Sequence, residues 1–263
     1  MKFNLKTLVA AVALVAAAGA NAAAIDTGAG GNGGLFFNVW DATGSYTRNL
    51  GVDLTSFETA VNGAANGVQV YNFAADSTLT SWLSGKSSFS WNIMAVDNQG
   101  AVRVLETAGQ SATLTAKASN IVRTAALQTT TLVGSINAPL ASANSATYTT
   151  ADAGYVGKAA GGVSTINSNI GWPTAALGSA ANNSYAAGLL IEEANGNAAG
   201  TTVVANTILG NANGARAYFD ANNTLVIQTA DAVAAVPEPE TYAMFLAGLG
   251  LMGVIARRRG NRA

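Results

Sequence analysis

Neither histidine nor cysteine occurs in the 263 residues. Their absence removes Ser-His-Asp and Cys-His nucleophilic catalysis, disulfide cross-links and the commonest zinc ligands. The remaining acid–base groups are carboxylates, and Glu192-Glu193 is the only adjacent pair. Neighbours on a strand point to opposite faces, so one of these two is expected in solvent while the other marks a strand end. A carboxylate-dependent hydrolase would need two acids about 5 to 9.5 Å apart in a cleft, which sequence spacing alone does not supply. Asp220, Asn222 and Asn223 carry oxygen ligands, but the spaced donors and closing glutamate of an EF-hand loop are missing. Gly28 to Gly34 holds five glycines. A phosphate-binding loop needs a strand before it and a helix after it, and without them the stretch reads as a flexible leader. No metal or cofactor is expected. Two tryptophans remain as candidates. Trp40 alternates with Phe36 and Asn38 on a partly polar strand face, and Trp172 precedes Pro173 in a loop-like segment. Either could stack on a sugar ring, although filling core space is the commoner use of tryptophan.

The elements that would hold these residues are mostly strands. Runs of β-branched and aromatic residues bounded by turn residues predict strands at Leu35 to Asp41, Val68 to Phe73, Phe89 to Asp97, Ala101 to Thr107, Thr201 to Leu209, Arg216 to Asp220 and Thr224 to Thr229. Phe89, Trp91, Ile93 and Ala95 share one face, which is expected to be core. Asp97-Asn98-Gln99-Gly100 and Asp220-Ala221-Asn222-Asn223 supply turn chemistry between adjacent runs, so two hairpins are predicted. Leu114, Ala118, Ile121, Ala125, Leu132 and Ile136 are spaced for one amphipathic helix within Ala112 to Val133, fraying at the β-branched run Thr129-Thr130-Thr131. Short helices are expected at Leu54 to Val61 and Thr78 to Leu83, and loops with short strands from Asn137 to Ser184. No fixed-period repeat is visible, which argues against a solenoid. The expectation is a mainly β, single sandwich-like domain over residues 35–235 with a few short helices, preceded by the glycine-rich leader at 25–34.

Both ends of the chain carry addressing chemistry. Lys2 and Lys6 precede the apolar run Leu8 to Ala18, and small residues at Ala20, Ala22 and Ala24 offer a cleavage region for signal peptidase. Residues 1–24 therefore read as a secretory signal peptide. At the other end, Tyr242 to Ala256 is a 15-residue stretch without charge. As a helix it reaches about 23 Å against a hydrocarbon core of about 30 Å, a minimal transmembrane helix. Arg257, Arg258 and Arg259 follow at once and hold that end on the cytoplasmic side as a basic stop-transfer signal. Just before it, Pro237 and Pro239 flank Glu238. The two rings fix φ, remove two N–H donors and keep Val236 and Glu238 extended, a shape suited to a processing enzyme's cleft.

Val236-Pro237-Glu238-Pro239, the apolar segment and the arginines, in that order within residues 236–263, resemble the PEP-CTERM sorting signal of Gram-negative bacteria. The resemblance implies processing by an exosortase-type membrane enzyme and an association with exopolysaccharide and biofilm. It implies nothing about the fold or activity of the body. Between the two ends lie seven basic residues against twelve acidic ones, a net charge of minus five that the whole-chain value of minus one conceals. Such a body lacks the basic patch that a phosphate backbone requires, which argues against nucleic acid as a partner. The expected protein is exported across the inner membrane, transiently membrane-anchored, and then held at the cell surface or in the extracellular matrix. Its body is expected to be a non-catalytic structural or interaction module, with a carbohydrate-binding module and then a hydrolase as the alternatives.

Overall fold

Leu35 through Trp40 are all buried, although their side chains alternate between the two faces of one strand. That pattern requires cover on both sides of the sheet. In the computed structural model, which describes residues 24–109, 117–170, 176–177, 188–194, 199–204, 206–210, 214–219 and 222–229, the cover is different on each side. The elements run β1 (Gly34–Asp41), β2 (Gly44–Asp53), α1 (Leu54–Gly63), β3 (Gln69–Phe73), α2 (Ser77–Leu83), β4 (Phe89–Asp97) and β5 (Arg103–Gly109). They continue with β6 (Lys117–Ala118), α3 (Ser119–Leu140), β7 (Ser145–Thr149), α4 (Val163–Ile170) and β8 (Ala176–Leu177). The last are β9 (Gly188–Ala194), β10 (Val203–Val204), β11 (Asn206–Ile208), β12 (Ala215–Phe219) and β13 (Leu225–Thr229).

One sheet of eleven antiparallel strands dominates, in the order β3-β13-β12-β9-β5-β4-β1-β2-β7, with β11 also on β9 and β8 also on β4. Strands β6 and β10 form a separate two-stranded ribbon. The mainly β expectation holds. The expected sandwich-like pairing of two facing sheets is not shown; among the described residues the large sheet curls. Its ends approach where Arg48 on β2 donates to the Ala74 carbonyl beyond β3 at 2.6 Å, and Tyr46 Oη donates to Asp76 at 2.8 Å. Inside the curl, Phe37, Val39, Tyr46, Trp91, Ile93, Tyr71, Phe73, Leu225 and Ile227 form one cluster, which α1 and α2 complete through Leu54, Phe57, Val61, Leu79 and Leu83. The outer face is covered by α3 and α4, whose Val122, Ala126, Val133, Ile136 and Ile166 pack on Phe36, Trp40, Met94, Val96 and Val104. Trp91 thus shares a core face with Phe89, Ile93 and Ala95 as expected, and the opposite face of the same strand is core as well.

Both expected hairpins are present, β4–β5 and β12–β13, with Gly100 and Asn223 supplying the positive φ that their turns need. Helices α1 and α2 start at aspartate caps. Asp53 accepts from Ser56 N at 2.9 Å and Asp76 from Leu79 N at 2.7 Å. Helix α3 differs from its expectation: it starts at Ser119, passes through Thr129-Thr130-Thr131 and ends at Leu140. The threonines are accommodated because Thr129 and Thr131 donate to the carbonyls four residues earlier, and Thr129, Leu132, Val133 and Ile136 are buried against the sheet. Burial outweighs local propensity there. Strand β7 and helix α4 occupy part of the stretch expected to be mostly loop.

The glycine-rich stretch is the clearest correction, because it is built into the fold. Gly33 N donates to the Val96 carbonyl at 3.0 Å, Asn98 N to the Gly28 carbonyl at 2.9 Å and Gly34 N to the Asp26 carbonyl at 3.1 Å. A Cβ at Gly28 or Gly33 would run into the Val96 carbonyl, and Gly28 also has φ +68°. The glycines permit close approach of two backbones rather than flexibility. Ahead of them Ile25 is buried, and both its N–H and its carbonyl are held by the side-chain amide of Asn137 on α3 at 2.8 and 2.9 Å. The chain divides into two units, Met1–Asp231 and Ala232–Ala263, and the second lies outside the described residues. Among the described residues no helix is long and apolar enough to cross a membrane. The expected span Tyr242 to Ala256 is not among them.

Candidate functional site

Two polar arrangements are built on the central strands, one sealed and one open. The sealed one is a row across β2, β1, β4 and β5, where register places Thr47, Asn38 and Asn92 side by side and Glu106 beside Met94. Thr47 Oγ1 donates to Asn38 Oδ1 at 2.7 Å, Asn38 Nδ2 to Asn92 Oδ1 at 2.9 Å and Asn92 Nδ2 to Glu106 Oε1 at 2.7 Å. All four residues are fully buried. Polar groups in so dry a setting are costly unless bonded, so the row fixes strand register by making any slip break three bonds. None of the four lines the cavities described next, which makes the row a structural feature.

The open arrangement surrounds the tight β1–β2 turn, Asp41 to Gly44. Asp41 Oδ1 accepts from Thr43 N at 2.8 Å, Thr43 Oγ1 at 2.7 Å and Gly44 N at 3.2 Å. Its Oδ2 accepts from Lys86 Nζ at 2.6 Å. Partial burial raises the pKa of this carboxyl, but the bonds from Lys86 and Thr43 outweigh that and hold it below the usual aspartate range. Lys86 Nζ also donates to Thr43 Oγ1 at 2.8 Å and lies 4.2 Å from the centre of the Trp82 ring, a cation–π contact. Trp82 meets Phe89 edge-on at 6.3 Å. Tyr155, from the loop before α4, donates to the Asp41 carbonyl at 2.6 Å. Burial raises the Tyr155 pKa, so it stays a neutral donor.

Three cavities adjoin this turn. One of about 850 Å³ lies among Trp40, Asp41, Ser88, Ser90, Thr150 and Tyr155. A second of about 540 Å³ continues past Asp41, Thr43, Lys86 and Ser88, and a third of about 430 Å³ past Thr43, Ser81, Trp82, Thr147 and Thr149. Each contains one carboxylate or none. Among the described residues, no group of three or more acidic, histidine or cysteine side chains is placed to hold a metal.

The expected site residues fare differently. Trp40 is only 7% exposed and packs in the outer core, so it offers a cavity wall and no free ring face. Trp172 lies outside the described residues, as do Ala20, Ala22, Val236, Pro237, Glu238, Pro239, Arg257, Arg258 and Arg259. Ala24 is described and exposed, immediately before buried Ile25. Glu192 and Glu193 sit near the C-terminal end of β9, at positions paired on both sides. Trp82, which lines the third cavity, lies in the short helix expected at Thr78 to Leu83, where its spacing from Leu79 and Leu83 reads as core. Those two are buried and Trp82 is only half-buried; the Gly85-Lys86 that follow α2 are the signal that its surroundings change.

Comparison with protein families matches residues 235–259 to the PEP-CTERM protein-sorting motif. Neither the curated proteins nor the solved structures give a match to the chain. The motif implies processing by an exosortase-type enzyme and export to the cell surface.

Proposed function

We propose that this bearer of a PEP-CTERM sorting motif is a surface or extracellular-matrix protein linked to exopolysaccharide or biofilm, whose body is a non-catalytic structural or interaction module. The observation that carries the reading is the family match over residues 235–259. Composition supports the rest, since the body has neither histidine nor cysteine and its charge is sparse. Signal peptidase would remove the leader near Ala20 to Ala24, the apolar helix would hold the chain transiently in the membrane, and an exosortase-type enzyme would then act near Pro237-Glu238-Pro239. Deleting Val236 to Ala263 should shift the protein from the surface fraction to the periplasm. Unchanged surface display of the deletion would refute the sorting claim.

A second reading, a carbohydrate-binding module, is favoured by the hydroxyl-lined cavities around the β1–β2 turn. In that reading Trp172 and the edge of Trp40 are the first ring contacts to test.

A further inference from the structure

Hydroxyl groups in this protein have two different fates. On the helices they turn inward: Thr59, Thr124, Thr131 and Ser135 each donate to the carbonyl four residues earlier. Around the β1–β2 turn Thr43 and Thr149 are likewise bonded internally, to Asp41 and Asp152, but five neighbouring hydroxyls are not. Ser88, Ser90 and Thr150 in the largest cavity, and Ser81 and Thr147 in the third, make no side-chain hydrogen bond among the described residues. These hydroxyls come from α2, β4, its preceding loop, β7 and the following loop, so the sheet topology converges them on one surface. The first and second cavities share Asp41, Ala42 and Ser88, and the second and third share Thr43, so the second cavity links the other two along the turn.

Charge and aromatic placement narrow the occupant. Asp41 and Lys86 neutralise each other at 2.6 Å, and Lys158 at the rim donates to the Ala153 carbonyl. Among the described residues lining these cavities there is no cluster of cations for a phosphate or a polyuronate, and no large apolar wall for a lipid chain. Trp82 is half-buried beside the third cavity, with its ring braced by Phe89 and oriented by Lys86. A ring so fixed supplies contact area at low entropic cost.

We infer that the surface around the β1–β2 turn binds a neutral oligosaccharide, with Ser88, Ser90 and Thr150 bonding its hydroxyls and Trp82 packing on a sugar ring. The inference rests on the carbohydrate-binding reading above and moves the aromatic contact from Trp40 and Trp172 to Trp82.

The test is binding of the full chain, solubilised in mild detergent, to an array of neutral and acidic oligosaccharides. It is compared with Ala42→Leu, which fills the junction from an exposed turn position without removing any bond, and with Trp82→Ala. The expected result is binding to neutral members of the array, weakened about ten-fold or more by either variant, with the thermal unfolding midpoint of Ala42→Leu unchanged. Binding that survives Ala42→Leu, that is lost only in Trp172→Ala, or that favours polyuronates would overturn the inference and leave a carbohydrate-binding body standing. Absence of binding to every oligosaccharide would overturn both and leave the sorting claim untouched.

Discussion

Replacing Asn92 with leucine keeps the approximate volume of the side chain and removes both functions of its amide. Asn38 Nδ2 then loses its acceptor and Glu106 Oε1 loses a donor, in a layer that water does not reach. Leaving buried polar groups without these bonds costs far more than the bonds contribute in net stability. The expected loss is about 2 to 4 kcal/mol, which for a domain of this size lowers the unfolding midpoint by roughly 5 to 15 °C. Calorimetry or a urea series measures it directly, and a loss below about 1 kcal/mol would show that the row contributes little. The individual residues were partly legible in the sequence. Asn38 and Asn92 are polar positions within apolar runs, but nothing linear indicates that β1 and β4 are neighbours in matching register. Trp40 illustrates the opposite limit: its strand face looks partly polar because Asn38 shares it, yet Asn38 is bonded on both sides and the face is covered by helices.

At the scale of elements, period-two patterning located β1, β4, β12 and β13 to within a residue or so of their ends, because each is a compact apolar run between turn residues. Strand β2 was missed for a physical reason. Gly44-Ser45-Tyr46-Thr47-Arg48-Asn49 reads as polar loop, but Ser45 and Thr47 are buried between neighbouring strands and bonded there. The N-terminal loop was misread in the same way, since glycine permits tight packing as readily as flexibility. The two readings of that loop separate cleanly in Gly33→Ala. A flexible leader would tolerate the change, or gain slightly through a stiffer unfolded chain. A loop whose backbone lies against the Val96 carbonyl must shift and loosen the Gly33–Val96 bond, so a loss of about 1 to 3 kcal/mol is expected. Ala29→Gly serves as the control at an exposed position of the same loop and should change stability by less than about 1 kcal/mol.

For the whole molecule, charge and processing are coupled. Six of the thirteen basic residues sit in the two ends, and the body between them has twelve acidic residues against seven basic ones. Removal of both ends therefore turns a nearly neutral precursor into an acidic product. The fold adds a boundary on the leader side. Ile25 is buried and held at both backbone atoms by Asn137, whereas Ala24 is exposed. A cut C-terminal to Ile25 would release the strap that carries Asp26 and Gly28 onto the sheet, so cleavage after Ala22 or Ala24 preserves the fold and later cleavage does not. Intact-mass measurement of the surface form is thus expected to give a chain beginning at Ala23 or Ile25 and lacking the arginine tail. Isoelectric focusing should place it on the acidic side of the precursor. Replacing Pro237 and Pro239 with alanine removes the enforced extended shape around Glu238. The acidic form should then be depleted and a heavier species retaining Arg257 to Arg259 should accumulate in the membrane fraction. Normal maturation of that double variant would show that the processing enzyme does not read the proline-fixed backbone.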